Sequence, residues 1–153
     1  MTINRIDMEE ITDRYAELRD ERADLLTATE EAEAAQDEAE EDEAEDAEAD
    51  HASALAALND WDSDNGEELK ELAELIEELR GAGGGDHQWE GDWFPSELIA
   101  EDDFEEYARD LAEDCYSIPD TWPHRCIDWE QAACELAQDY SSVEYQGKSY
   151  YWR

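Results

Sequence analysis

The strongest constraint on the fold of this chain is an acidic run at residues 30–50, which contains only Asp, Glu, Ala and Gln. Ala, Glu and Gln favour a helix, but no side chain in the run is a large apolar group that could build a core. The run therefore has to lie in solvent or against a charged partner. Residues 37–50 hold ten acids, which on one helix would give about one negative charge per 2 Å of axis. Duplex DNA carries one per ~1.7 Å.

Three interpretations of this charge are open. The run is a surface that imitates DNA, a solvated face or disordered acidic tract, or one part of the general acidity of a halophile's proteins. A halophile's acidity does not account for the segment between Arg22 and Lys70, which has no Lys or Arg and holds 19 acids.

The net charge of −38 restricts the class of partner. Bare nucleic acid and anionic membrane surfaces would both be repelled, whereas a basic protein surface would be attracted. The charge is not confined to one tail, because residues 1–85 have a net charge of −24 and residues 86–153 a net charge of −14. We therefore expect a protein partner and no direct contact with nucleic acid or membrane.

The spacing of apolar residues in the N-terminal half predicts a coiled-coil-like helical hairpin. Asp7 is placed to cap a helix with Glu10 three residues later, and apolar residues follow at heptad-like spacing, at Ile11, Tyr15, Leu18, Leu25 and Ala32. We predict one long helix over residues 8–58, a turn in residues 59–66 and a second helix over residues 67–80. The short second helix leaves the seam at residues 11–25 uncovered, so either the C-terminal domain, a second chain in a homodimer or a bend in the first helix should cover it.

The C-terminal part should be a small globular domain, because five of the six tryptophans lie between residues 89 and 152. The glycines at residues 81–85 predict a linker, which gives three segments: an acidic hairpin at 1–80, a linker at 81–88 and a domain at 89–153. Within the domain we predict a helix from about Phe94 to Cys115, a helix over residues 129–140 capped by Asp128, and a terminal β-hairpin. The expected fold is mainly α, with a small α+β C-terminal domain.

Several functional classes lack their signatures. The chain has no run of about 20 apolar residues and no signal-peptide core, so we expect a cytoplasmic protein. Its three cysteines should be free and mostly buried; together with His124 they lack the tight pair typical of zinc sites, so we expect no metal and no cofactor. No phosphate-binding loop, nucleophile elbow or zinc-protease motif is present, and we expect no enzymatic activity and no catalytic residue.

Residues 104–153 resemble the C-terminal end of ArdA-type antirestriction proteins. The resemblance is carried by a phenylalanine-led acidic helix at Phe104, by the helix start Ile127-Asp128-Trp129-Glu130 and by a hairpin that closes on Trp152-Arg153. It implies a phage or mobile-element protein that acts in the host cytoplasm, mimics DNA and blocks type I restriction-modification enzymes, often as a dimer. The upstream β-rich domains of that family are replaced here by the acidic hairpin.

The resulting hypothesis is an acidic DNA mimic that blocks the basic DNA-binding surface of a host defence complex. An anti-CRISPR protein or an inhibitor of another defence nuclease, and an acidic adaptor or chaperone for a basic protein, are the alternatives. The expected partner-binding carboxylates are Asp37, Glu38, Glu40, Glu41, Asp42, Glu43, Glu45, Asp46, Glu48, Asp50, Glu101, Asp102, Asp103, Glu105, Glu106, Asp110, Glu113 and Asp114.

Overall fold

The computed structural model describes residues 3–82 and 87–153, which form two compact units. The hairpin unit is Asp13–Ala73, and the sheet unit combines Met1–Thr12 with Glu74–Arg153. The two long helices, α1 (Met8–Glu38) and α2 (Ala44–Leu79), each contribute residues to both units. None of the helices among the described residues has the length and apolarity needed to cross a bilayer.

In the hairpin unit, α1 and α2 run antiparallel. Arg14 Nε donates to Glu68 Oε1 at 2.9 Å, and Arg22 Nε donates to Asp62 Oδ1 at 2.9 Å. The residue numbers of the two pairs add to 82 and to 84. In an antiparallel hairpin the chain reverses at half of this sum, which places the reversal near residue 41. Leu18, Leu58 and Leu72 are buried along this pairing.

The position of the reversal corrects the predicted helices. The first helix ends at Glu38 instead of continuing to Leu58, and the predicted turn at residues 59–66 is part of α2. At the break, like charges such as Asp37 and Glu41 would repel at (i, i+4) spacing, and alanines give the seam little to bury. Residues 59–66 stay helical because tertiary contacts outweigh their weak helix propensity: Trp61 Nε1 donates to Glu21 Oε2 at 3.1 Å, and Asp62 binds Arg22.

The burial of Leu18, which is 1% exposed, also removes the premise of the dimer expectation. The seam was expected to be uncovered because the second helix was predicted to have only fourteen residues. At 36 residues, α2 is long enough to pair with α1 on both sides of Leu18. The fold-back of one chain therefore covers this part of the seam.

The sheet unit contains a four-stranded antiparallel sheet made of β1 (Arg5–Asp7), β4 (Glu97–Ala100), β5 (Ser141–Tyr145) and β6 (Lys148–Trp152). The strands lie in the order β1-β4-β6-β5. A separate hairpin pairs β2 (His87–Trp89) with β3 (Asp92–Phe94). The predicted terminal hairpin is confirmed, with Gln146 and Gly147 in its turn at positive φ.

Two helices pack with this sheet, α3 (Phe104–Cys115) and α4 (Trp129–Ala137). Phe104 and Ala108 of α3, Ala133 of α4 and Ile99 of β4 form a buried cluster. The predicted cap of α4 is confirmed, because the Asp128 carboxylate accepts a hydrogen bond from Gln131 N at 3.1 Å. The helix predicted from Phe94 begins only at Phe104: Phe94 ends β3, β4 occupies residues 97–100, and a 3-10 turn occupies residues 101–103. Ile99 of β4 pairs with Tyr151.

The N-terminus belongs to the sheet unit, so the boundary expected at residue 80 is displaced. Strand β1 pairs with β4, with Ile6 opposite Leu98, and Met8 N donates to Ser96 O at 3.0 Å. Of the linker predicted at residues 81–88, residues 83–86 lie outside the described residues, and His87 and Gln88 belong to β2. Gly81 ends α2 at a φ of +74°, and its N–H donates to Trp93 O at 2.8 Å.

Candidate functional site

The first candidate surface is the acidic tip of the hairpin unit, which we define as residues 37–50. All ten of its carboxylate side chains are exposed. Asp37 and Glu38 end α1, four acids lie in residues 40–43 between the helices, and four more lie in the first two turns of α2. The structure therefore brings the ten predicted residues of this run together around one reversal of the chain.

The local folding of the tip is set by backbone hydrogen bonds. Glu43 N donates to Glu40 O at 2.9 Å, and Ala47 N donates to Glu43 O at 3.0 Å, so the helical ladder restarts immediately after the reversal. Glu45 and Asp46 lie in the first turn of α2, where the helix dipole favours negative charge. Glu38 lies in the last turn of α1, which holds no basic residue and where the dipole disfavours an anion.

Residues 37–50 contain no Lys, Arg or His. The last Lys or Arg before them is Arg22 and the first after them is Lys70, with His51 directly after the tip, and Arg22 is bound to Asp62. Away from the tip, Lys and Arg are interspersed with the acids, and Arg14 is paired with Glu68: its hydrogen bond lowers the pKa of that carboxyl, against the opposing effect of partial burial. The tip is therefore the densest cluster of acids in the hairpin unit and the one without a neighbouring Lys or Arg.

The second candidate surface lies in the sheet unit, on α3 and the turn before it. Six of the predicted carboxylates line an open groove of about 630 Å³, together with Arg109 and Trp129. These six acids are Asp102, Asp103, Glu105, Glu106, Asp110 and Glu113. We call this feature the acidic groove. Glu101 lines a neighbouring groove of about 300 Å³, where Glu130 adds a carboxylate that the site prediction missed.

Two acids of the acidic groove already have partners inside the chain. Asp103 is half-buried and accepts a hydrogen bond from Asn4 N at 2.9 Å, which ties the chain start to the beginning of α3. Glu113 accepts from Arg109 Nε at 3.1 Å, and the Arg109 guanidinium lies 5.8 Å from the centre of the Trp129 ring. Asp103 is thus a structural residue, and Glu113 is partly neutralised.

The core behind α3 keeps this surface in place. Tyr107 and Tyr140 share a hydrogen bond between their hydroxyls at 3.0 Å. Burial and this hydrogen bond raise the pKa of Tyr107 well above its usual range. The phenol is therefore neutral at physiological pH and acts as a packing and hydrogen-bonding group.

The cysteines differ from their predicted burial. Cys115, Cys126 and Cys134 are free, as expected, but all three are exposed. Cys115 is the last residue of α3, Cys126 ends a 3-10 turn, and Cys134 lies on an exposed side of α4. Across residues 3–82 and 87–153, no group of three or more His, Cys, Asp or Glu side chains is arranged to hold a metal ion.

The residues that the site prediction missed are mostly aromatic. Tyr116 and Trp122 are the two most exposed large hydrophobic side chains described, and both follow α3. Their position in the connection between two predicted helices indicates exposure, but the large apolar area of tryptophan led us to predict a place in the core. No protein-family model, curated protein or solved structure matches the chain.

Proposed function

We propose that this protein is an acidic DNA mimic that inhibits a DNA-binding enzyme of host defence by occupying its DNA-binding channel. A type I restriction-modification enzyme is the first-choice target. The observation that carries the proposal is the reversal of the chain at residues 39–43, between two acidic helices that pair antiparallel through Arg14–Glu68 and Arg22–Asp62.

The reversal changes the charge density along the hairpin axis. Residues 30–38 of α1 and 44–52 of α2 each span about 14 Å, and together they carry nine acids. This gives roughly one charge per 1.5 Å, close to the one per ~1.7 Å of duplex DNA. Two antiparallel arms also give two rows of charge, as the two strands of a duplex do.

The absence of basic residues at the tip supports the same function. A channel lined by Lys and Arg can displace the counterions gathered around the tip without competing against internal ion pairs. The acids are on helices except in residues 39–43, which favours a fixed charge pattern over the disordered tract that a chaperone for basic proteins could use. The resemblance of residues 104–153 to ArdA-type antirestriction proteins agrees with this choice of target.

The test is competition with DNA. A fluorescent duplex bound to the methyltransferase core of a type I restriction-modification enzyme is titrated with this protein, and release is followed by anisotropy at several salt concentrations. We expect the wild-type chain to release the duplex and its apparent affinity to fall steeply with salt. Failure to compete would refute type I inhibition, and release of DNA from a CRISPR effector instead would support that alternative.

A charge variant locates the surface. It replaces five tip acids with their amides, at Glu38, Glu41, Asp42, Glu45 and Glu48. Individual exposed pairs contribute ~0–1 kcal/mol, so the five together should cost about 2–4 kcal/mol if they add. This corresponds to a loss of roughly 30- to 1,000-fold in affinity.

The matched control removes the same charge from exposed positions of the hairpin unit away from the tip. Suitable acids, none of which forms an ion pair in the described structure, are Asp13, Asp24, Asp60, Asp64 and Glu67. We expect this variant to lose less than tenfold in affinity. Equal losses in the two variants would mean that net charge, and not the tip, determines binding. Unchanged binding of the tip variant would exclude the tip as the DNA-like surface.

A further inference from the structure

The connection between α3 and α4 carries two strongly exposed aromatic side chains. Tyr116 is 72% exposed and Trp122 is 75% exposed, and only six positions separate them. We call residues 116–123 the aromatic loop. An indole held in water adds nothing to the protein's own core, and Trp and Tyr are enriched at the centres of protein interfaces.

The aromatic loop is next to the acidic groove. Ile118 and Pro119 of the loop line a second groove of about 390 Å³, together with Arg109, Glu113 and Trp129. The same three side chains line the acidic groove. The two grooves are therefore neighbours that share one wall, with the acids of α3 on one side and Ile118, Pro119 and Asp120 of the loop on the other, followed by His124 and Arg125.

This combination matches the composition of strong protein interfaces. Their energetic centres are enriched in Trp, Tyr and Arg, packed in pockets from which water is excluded, whereas exposed charged pairs contribute little each. Carboxylates bring a basic partner to the surface and orient it. An apolar side chain that enters a pocket of the partner then slows dissociation.

We propose that the aromatic loop is an anchor for the target, with Trp122 inserting into an apolar pocket that borders the target's basic DNA-binding surface. The proposal rests on the proposed function, because it takes the acidic groove as part of the surface facing that partner. The anchor gives the protein an affinity component that DNA lacks. It also lets the protein distinguish its target from other basic, DNA-binding proteins.

The first experiment measures how binding of Trp122→Ala depends on salt, in the competition assay with the type I methyltransferase core. We expect the affinity to fall by about 30-fold or more, as for an interface hot spot. The slope of log affinity against log salt should match that of the wild type, because no charge is removed. The control is Trp93→Ala, at a tryptophan that is 46% exposed on β3, with folding of both variants checked by near-ultraviolet circular dichroism.

The second experiment detects the insertion itself. Acrylamide, a neutral quencher, is added to the wild type and to Trp122→Phe, and the difference between the two isolates the emission of Trp122. We expect this emission to be quenched readily in the free protein and to be protected when the methyltransferase core is present in saturating amount.

The outcomes separate the two proposals. If Trp122→Ala competes as tightly as the wild type, or if Trp122 stays accessible to acrylamide in the complex, the anchor is refuted. If the tip variant loses competition in the same series, the DNA-mimic function is still supported. A wild-type chain that does not compete at all would overturn both. An affinity loss for Trp93→Ala equal to that for Trp122→Ala would also refute the assignment of the anchor to the aromatic loop.

Discussion

The sheet unit should not fold without the start of the chain. The perturbation is a fragment of residues 89–153, which lacks strand β1 and the helical residues that the sheet unit takes from α1 and α2. A milder version of the same perturbation is Met8→Ala in the full chain. Met8 is fully buried, and its N–H donates to Ser96 O at 3.0 Å.

The magnitude follows from the side chains that the fragment loses. Five buried apolar residues of the sheet unit lie outside residues 89–153, namely Met8, Ile11, Leu75, Ile76 and Leu79. Burial of such a side chain is worth about 1.5–3 kcal/mol, so their loss removes roughly 7–15 kcal/mol. Because a whole domain has a net stability of about 5–15 kcal/mol, the fragment should be unfolded. Met8→Ala alone should cost about 2–5 kcal/mol.

The assay is denaturation by heat and by urea, followed by near-ultraviolet circular dichroism of the tryptophan-rich sheet unit. We expect no cooperative transition for the fragment and a clearly lower urea midpoint for Met8→Ala. The control is Leu55→Ala, at a residue that is 42% exposed, for which we expect a change within about 0.5 kcal/mol. Cooperative melting of the fragment, or a cost below 1 kcal/mol for Met8→Ala, would refute the reasoning.

Three further predictions concern the two units. Leu18→Lys should lower the melting temperature sharply, because the Leu18 side chain is 1% exposed within one chain, whereas Leu25→Lys at a half-buried site should lower it less. Equal and small effects of the two substitutions in thermal melts would contradict the hairpin pairing. Gly66→Ala should raise stability by up to about 1 kcal/mol in urea melts, since the nearest atom to an added Cβ is 3.8 Å away; a loss of stability would mean that the glycine is required. The free energy of unfolding should fall as pH rises above ~10, because the raised pKa of Tyr107 keeps its phenol neutral in the folded state while the same phenol ionises in the unfolded chain. In urea melts over that pH range, Tyr107→Phe should lose less stability than the wild type.

Local signals predicted α4 and the terminal β-hairpin, but not strands β2, β3 and β4. The cap at Asp128 and the helix after it depend on side chains within three residues of each other, and the terminal hairpin depends on Gln146 and Gly147 at positive φ. These features need few distant contacts. Strand β1 could not be found in the same way, since three residues such as Arg5–Asp7 carry too little pattern and become a strand only by pairing with β4.

The candidate site shows the same division. The ten acids of the tip could be named in advance, because a run without large apolar groups has no place in a core. Their spatial arrangement could not, because it depends on where the chain reverses. The exposure of Trp122 could not be predicted either, since tryptophan in a small domain is more often packed against the core.

The sequence by itself determined the charge of this protein, its helical content and the segments that must face solvent, because these follow from composition and from interactions within one or two helical turns. Only the tertiary structure decided that the acidic run contains a reversal at residues 39–43 and is not the middle of one continuous helix, and that residues 59–66 are helical and not a turn. Both outcomes depend on the register between α1 and α2, which pairs Arg14 with Glu68 and Arg22 with Asp62. These long-range contacts contribute free energy that outweighs helix propensities of less than about 1 kcal/mol per residue. A pattern of neighbouring residues carries no information about them.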